Sequence, residues 1–261
     1  MSLQARVRNA DFLSRRMSAA QAAQLIEHGA TLGLSGFTGA GYPKALPQAI
    51  AERARAEHAA GRPFQVKVWT GASTAPEVDG ALAQAGAMAQ RLPFNSDAST
   101  RQQINAGTID YIDMHLSHVA QQAWFGFLGK LDVAIVEVAG ITPDGRLIPS
   151  TAVGNNKTWL EVADKVILEV NTRLPEGIEG MHDIYYGTAL PPRRVPISLT
   201  HADNRIGEPY LQVDLNKVVA VVETHSLDRD NVFAVPDANS ERIAQYIIDF
   251  LVHEMQHGRL P

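Results

Sequence analysis

The 261-residue sequence carries 23 Lys and Arg against 28 Asp and Glu and is 45% hydrophobic, an ordinary globular composition that suits one large α/β domain or two small ones. The formal charge of −5, with no basic run longer than Arg15-Arg16 or Arg193-Arg194, excludes the basic stripe of a nucleic-acid binder. The lack of cysteine excludes disulfides, thiolate nucleophiles and Cys-ligated zinc, and no apolar run approaches the ~20 residues of a membrane span.

The N-terminus holds Arg6, Arg8, Arg15 and Arg16 against Asp11 alone. This faintly resembles a transit peptide, but reads as a solvated lead-in of a cytoplasmic protein. Ser18 is placed to cap a helix over 19–28, which Gly29 ends. A strand over 30–37 is predicted next, then a glycine-rich turn and a helix over 47–60 closed by Gly61. A strand over 64–70 and a helix over 78–86 follow. Further strands are predicted over 111–117 and 133–141, with a helical stretch over 119–129 between them. Pro143-Asp144-Gly145 is a turn by its chemistry. A helix over 156–164, strands over 165–171 and 217–224, and a last helix from about Ser240 complete the chain. Strands alternate with helices, and several are continuous Val/Ile/Leu runs. That pattern predicts parallel strands covered on both faces and joined by right-handed crossovers. Residues 172–210, rich in Pro and Gly, are too long for an ordinary connection and read as an irregular functional or interface excursion.

Near the end, His253-Glu254-Met255-Gln256-His257 spells H-E-x-x-H, the zinc-protease helix motif. The apolar residues of that helix, Ile243, Ile247, Phe250, Leu251 and Met255, recur at helical spacing as a core stripe. Glu254 falls on that stripe, and a third zinc ligand is missing from the four residues that follow. The motif therefore reads as surface histidines on an amphipathic helix, with no metal expected.

The strongest local signal is "GLSGFTGAGYPK". Gly36, Gly39 and Gly41 follow a strand, as a phosphate cradle would. Their order is neither G-x-G-x-x-G nor the P-loop pattern, so what remains is a turn that passes close to something, or simply a tight turn. Glu137, Glu169 and Glu223 each lie near the end of a predicted strand, where ligands of open parallel sheets bind. They are acid/base candidates, or carboxylates held by backbone amides and neighbouring helices, and the second reading is the more economical. Ser73 and Ser96 lie in loops at sheet ends without a nucleophile elbow. Gly154-Asn155-Asn156 precedes a helix and can serve as a polar cap.

Taken together, "SGFTGAGYPKALP", "TGAS", "INAG…DMHLSH", "AVGNNKTW", "KVILEVN" and "VVAVVETHSLDRD" resemble one family, the acetyl-CoA hydrolase/transferase family of class I CoA-transferases, across almost the whole chain. The resemblance implies a NagB/RpiA/CoA-transferase-like α/β fold, a mainly parallel sheet flanked by helices. It also implies that residues 1–261 correspond to the N-terminal half only. The nucleophilic glutamate of such enzymes is expected beyond Pro261, so no catalytic residue is assigned here.

What the resemblance implies about function is transfer of CoA between an acyl-CoA and a small carboxylate, or hydrolysis of acetyl-CoA. Coenzyme A would be a substrate, and no cofactor is expected. By motif position, Ser73 and Ser96 would be pocket hydroxyls and Arg229 a cationic contact suited to a carboxylate. Gly36, Phe37, Gly39, Gly41, Asn155 and Asn156 would shape the cleft or the contact with the second half, which would belong to the same protein or to a separate subunit. A homo-oligomer is expected. The alternatives are a free-standing α/β module that binds a small acid or CoA without turnover and, more remotely, a zinc hydrolase.

Overall fold

The sheet grows outward from its middle. Three short helices, α1 (Leu3–Arg6), α2 (Ala10–Leu13) and α3 (Ala19–Ala23), lead into β1 (Thr31–Leu34) and then α4 (Ala45–Ala59). β2 (Val66–Trp69) is followed by a π-turn (Pro76–Gly80) running into α5 (Ala81–Gln84). β3 (Met88–Leu92), α6 (Ala98–Asn105), β4 (Asp110–Tyr111) and α7 (Leu116–Trp124) come next. β5 (Val133–Ile141) and β6 (Leu147–Pro149) form a hairpin, followed by α8 (Asn156–Val162), β7 (Lys165–Asn171), β8 (Val218–Thr224) and α9 (Ala238–Gln256). The computed structural model describes residues 2–34, 36–72, 75–187, 190, 192–230 and 233–261. They divide into two units, Met1–Arg229 and Asp230–Pro261.

The strand order is β4-β3-β2-β1-β5-β7-β8, with β6 antiparallel on β5 and every other pairing between these strands parallel. The chain thus runs outward from β1 to one edge, then returns to β5 beside β1 and runs to the other. The reversal between β1 and β5 is a topological switch point, the place where open α/β sheets bind ligands.

All nine residues of β5 are buried, which is why its sequence is apolar throughout except at Glu137. Val133 and Ile135 join the core that includes Ile26, Leu46 and Ile50, while Ala134, Val136 and Val138 join the core that includes Phe12, Val119 and Trp159. α3, α4 and α5 therefore cover one face, and α1, α2, α7 and α8 the other, giving three layers. No helix of the described residues is long and apolar enough to cross a membrane.

The structure corrects several expectations. The N-terminal segment is no solvated lead-in. Leu3, Val7 and Phe12 are buried, and Val7 forms a bridge with Ile141 beside β5. Its arginines are structural: Arg6 donates to the Leu174 carbonyl, Arg15 to those of Leu215 and Val218, Arg8 pairs with Glu179 and Arg16 with Glu223. The predicted strand over 111–117 is a two-residue strand, and α7 starts at Leu116. β3, α6 and β6 lie outside the predicted elements. Within 172–210 the described residues form one 3₁₀ turn, Glu176–Ile178, and one isolated bridge, Ile184 to Glu208.

In the Asp230–Pro261 unit, Asp237 and Ser240 make a reciprocal capping box at the start of α9, two residues ahead of the predicted start. Taken by itself, this unit buries none of the stripe from Ile243 to Met255. A lone amphipathic helix has nothing to close over its apolar face, so the expected core stripe is not a core within it.

Candidate functional site

The glycine turn after β1 sits over the switch point, and two other segments hold its backbone. Thr38 N–H donates to the Ala72 carbonyl at 3.1 Å, tying the turn to the loop after β2. The Gly39 carbonyl accepts the Arg229 N–H at 3.0 Å. Gly41 N–H donates to Asp228 Oδ1 at 3.1 Å. Close approach explains the glycines. A Cβ on Gly36 would lie 2.4 Å from the Ala40 carbonyl oxygen, one on Gly39 3.0 Å from Arg229 Cβ, and one on Gly41 2.6 Å from Ala152 N. Thr38 adopts φ 50, a left-handed conformation that strains a β-branched residue by about 1–3 kcal/mol and persists only where its surroundings impose it. Phe37 bridges to Ala40 through its backbone and is 57% exposed.

Beneath the turn lies a buried ionic cluster. Glu137 and Glu169 are register partners on β5 and β7, and both are fully buried. Glu169 accepts the N–H groups of Lys44, Ala45 and Leu46 at 2.6, 2.9 and 2.9 Å. The protein's own carboxylate thus fills the N-terminus of α4, where an anion is favoured. The phosphate-cradle reading of the turn is excluded at that helix end. Glu223 is exposed and paired with Arg16 at 3.0 Å. The economical reading of these three carboxylates therefore holds: amides and basic neighbours engage all of them.

Lys44 is the cation of the cluster. Its Nζ meets Glu137 Oε2 at 2.6 Å and Asp228 Oδ1 at 2.8 Å, and donates to the Tyr42 carbonyl at 2.9 Å. Burial disfavours charge on Lys44, yet Glu137 and Asp228 outweigh it and hold the ammonium above the ordinary lysine range. Burial pushes the Glu137 carboxyl up to about 7 against the opposing pull of Lys44. Burial also acts upward on Asp228, but donors from Lys44, Thr151 and Gly41 bring it below the usual carboxylate range. Asn171 bonds Glu137 at 3.1 Å and the Ser226 carbonyl at 2.8 Å, extending the cluster to the end of β8.

Arg229 is exposed. Asp228 is taken by Lys44 and Thr151, and among the described residues no carboxylate pairs with the Arg229 guanidinium. Asn155 donates to the Thr70 carbonyl at 3.4 Å, joining the start of α8 to the end of β2. Asn156 is fully buried, and its side-chain amide finds no hydrogen-bond partner among the described residues. A cleft of ≈ 530 Å³ continues from Asn155, lined in part by Gln121, Trp124, Lys157, Thr158 and Tyr185.

The structure thus brings Gly36, Phe37, Gly39, Gly41, Asn155 and Arg229 to one end of the sheet. Ser96 sits on the exposed loop between β3 and α6, one strand further out than the loop after β2. Ser73 lies outside the described residues. Lys44, Asp228 and Thr151 were missed. Lys44 follows the glycine turn directly, the one local hint of its role, whereas its partners lie 93 residues away at Glu137 and farther still at Asp228.

Two other features hold their own groups. At the opposite end of the sheet, a hollow of ≈ 290 Å³ is lined by His28, Lys130, Asp132 and Asp164, and Lys130 pairs with both aspartates. On α9, Arg259 grips Glu254 at 2.6 and 2.7 Å, and a His257 ring nitrogen lies 2.7 Å from the His253 carbonyl. The would-be base of the zinc motif is therefore an ion-pair partner.

Comparison with known proteins gives this geometry its family. Residues 1–223 match the acetyl-CoA hydrolase/transferase N-terminal domain, and the chain belongs to that family. It is 42% identical over 246 residues to the propanoyl-CoA:succinate CoA transferase of Escherichia coli, covering 94% of this chain and 50% of that protein. It is 40% identical over 256 residues to the succinyl-CoA:acetate CoA-transferase of Clostridium kluyveri, covering 98% and 47%. It is 35% identical over 266 residues to the acetyl-CoA hydrolase of Schizosaccharomyces pombe, covering 99% and 50%. The chain spans about half the length of the curated relatives it matches.

Among solved structures, RipA from Yersinia pestis aligns with a TM-score of 0.62 at 18% identity, covering 92% of this chain and 49% of that one. Glutaconate CoA-transferase from Acidaminococcus fermentans aligns at 0.53 and 13% identity, covering 81% and 76%. The fold is the CoA-transferase-like α/β fold.

Proposed function

We propose that the whole protein moves CoA between an acyl-CoA and a small carboxylate of the acetate or succinate type. Family membership over residues 1–223 carries this reading. The geometry supports it: Arg229, a planar bidentate donor, stands backbone-anchored at the switch point, without a carboxylate partner among the described residues. A glutamate outside residues 1–261 would attack the thioester carbonyl, forming an acyl-glutamyl anhydride and releasing CoA thiolate. The thiolate would then attack the glutamyl carbonyl, expelling the carboxylate and leaving glutamyl-CoA. A second carboxylate would reverse both steps. Each step is nucleophilic catalysis that needs donors where an oxyanion develops. Water in place of the acceptor would give hydrolysis of acetyl-CoA.

In this reading residues 1–261 contribute one wall of the cleft, with Arg229, Ser73 and Ser96 as contacts to the acyl or carboxylate group. The glutamate comes from a second half of the same protein or from a separate subunit. CoA is a substrate, no resident cofactor takes part, and the protein works as a cytoplasmic homo-oligomer. The test is to assay the full-length product of the gene with acetyl-CoA, with and without succinate as acceptor, beside residues 1–261 alone. Transfer or hydrolysis by the full-length product and none by residues 1–261 is the expected result. Tight CoA binding without turnover by the full-length product would replace this reading with that of a binding module.

A further inference from the structure

Asp228 lies at the meeting point of three segments. Its Oδ1 takes Lys44 Nζ at 2.8 Å and the Gly41 N–H at 3.1 Å, and its Oδ2 takes the Thr151 hydroxyl. These donors come from the start of α4, the glycine turn after β1, and the segment between β6 and α8. The next residue, Arg229, gives its own N–H to Gly39 in the same turn. Lys44 is in turn fixed from below by Glu137 on β5.

We propose that Asp228, gripped by Lys44, is a positioning residue that fixes the Arg229 backbone against the glycine turn, so that the exposed guanidinium is presented to the substrate carboxylate from a rigid base. This rests on the reading of the protein as a CoA-transferase with Arg229 as a carboxylate contact. A long arginine on a loose segment would lose rotamer freedom with every ligand it binds. Here the chain on which Arg229 stands is already tied to the glycine turn, the start of α4 and the segment between β6 and α8. An exposed cation needs such a tie to act at a defined distance, because misplacement by about 1 Å can cost on the order of 100-fold in rate. Of the neighbouring aspartates Asp228 and Asp230, the structure pairs Asp228 with a buried cation.

A merely structural ion pair and a positioning one differ in how their loss combines with loss of Arg229. The test is a double-mutant cycle in the full-length product, with succinyl-CoA and acetate as substrates. Asp228→Asn keeps the shape and an acceptor for Gly41 but loses the charge that Lys44 needs. It is expected to raise the acetate KM and to lower kcat/KM by about 10-fold or more. In an Arg229→Ala background the same change should alter kcat/KM less than about twofold, since residues acting as a unit are not additive. Effects that multiply in full, or an Asp228→Asn enzyme with unchanged kcat/KM, would overturn the proposal.

Should Asp228→Asn fail to fold, Thr151→Val, at an exposed position, removes one donor and must show the same non-additivity in milder form; additivity there would also overturn it. A wild-type product that transfers no CoA sinks the functional reading instead. The positioning claim is then decided by amide hydrogen exchange. Asp228→Asn or, where that variant does not fold, Thr151→Val should speed exchange at Gly41 and Arg229 while β5 and β7 keep their protection. Unchanged exchange at both amides would refute it.

Discussion

Arg91 on β3 and Asp79 in the turn before α5 form an ion pair at 2.6 Å with side chains 0% and 1% exposed. The other Asp79 oxygen accepts the Ala75 N–H at 2.9 Å, and Arg91 also bonds the Thr70 hydroxyl at 2.8 Å and the Leu92 carbonyl. One sealed pair therefore anchors the chain on both sides of the loop after β2 and the start of the loop after β3, the loops that carry Ser73 and Ser96.

Arg91→Met should remove about 3–5 kcal/mol of stability, because Asp79 is left buried without its cation. Urea unfolding of wild type and variant measures this. Arg91→Met combined with Asp79→Leu should recover much of the loss, since a buried pair is often replaceable by apolar side chains.

Glu137 predicts a pH dependence. Its carboxyl is raised to about 7 by burial, above its value in the unfolded chain. The folded state therefore holds a proton that the unfolded state releases as pH rises. This stabilising contribution is complete below the unfolded pKa and is lost as pH rises through about 7. Relative to Glu137→Gln, the wild type should lose stability on the order of 3 kcal/mol between about pH 4.5 and 8. Chemical denaturation at a series of pH values measures it, and parallel curves for the two proteins would contradict it.

Gly41 and Gly61 separate strain from crowding. Both have left-handed φ, 68° and 72°. A Cβ added at Gly41 would meet backbone within 3 Å, at Ala152 N, whereas one added at Gly61 would face open space. Gly61→Ala should cost about 1–2 kcal/mol from handedness alone. Gly41→Ala should cost more than that, and should also weaken the Gly41 to Asp228 bond. Thermal melts of the two variants give the comparison.

Glu169→Gln replaces an oxygen that accepts the Leu46 N–H with an amide donor, or forces the two oxygens' work onto one. A loss of about 1–3 kcal/mol is expected for the unsatisfied helix-start donors. The first turn of α4 should also lose protection in amide hydrogen exchange, and unchanged protection there would contradict the role given to Glu169.

Much of the fold was legible because its inner strands are fully covered. β5 and β7 announce themselves as apolar runs, and β8 nearly so. β3 did not: "MAQRL" holds Gln90 and Arg91, and an arginine in a sequence reads as solvated until Asp79 is found twelve residues back, on another element. β4 is an edge strand of two residues, too short to leave a period, and the next stretch carries the helical spacing of Val119 and Ala123. At the site, the glycine turn and Asn155 were visible locally. The ionic cluster was not, since Lys44, Glu137 and Asp228 are separated by long stretches of chain and only the parallel sheet brings them together.

The carboxylate that Glu169 places at the start of α4 has a consequence for how a nucleotide-bearing ligand could lie on this domain. In many α/β proteins the diphosphate of such a ligand rests on the first helix after the first strand. Here that seat is filled by the Glu169 side chain, which already takes the Lys44, Ala45 and Leu46 N–H groups that a phosphate would need. Any diphosphate-bearing ligand reaching this end of the sheet would have to lead its diphosphate away from α4 and onto other surfaces.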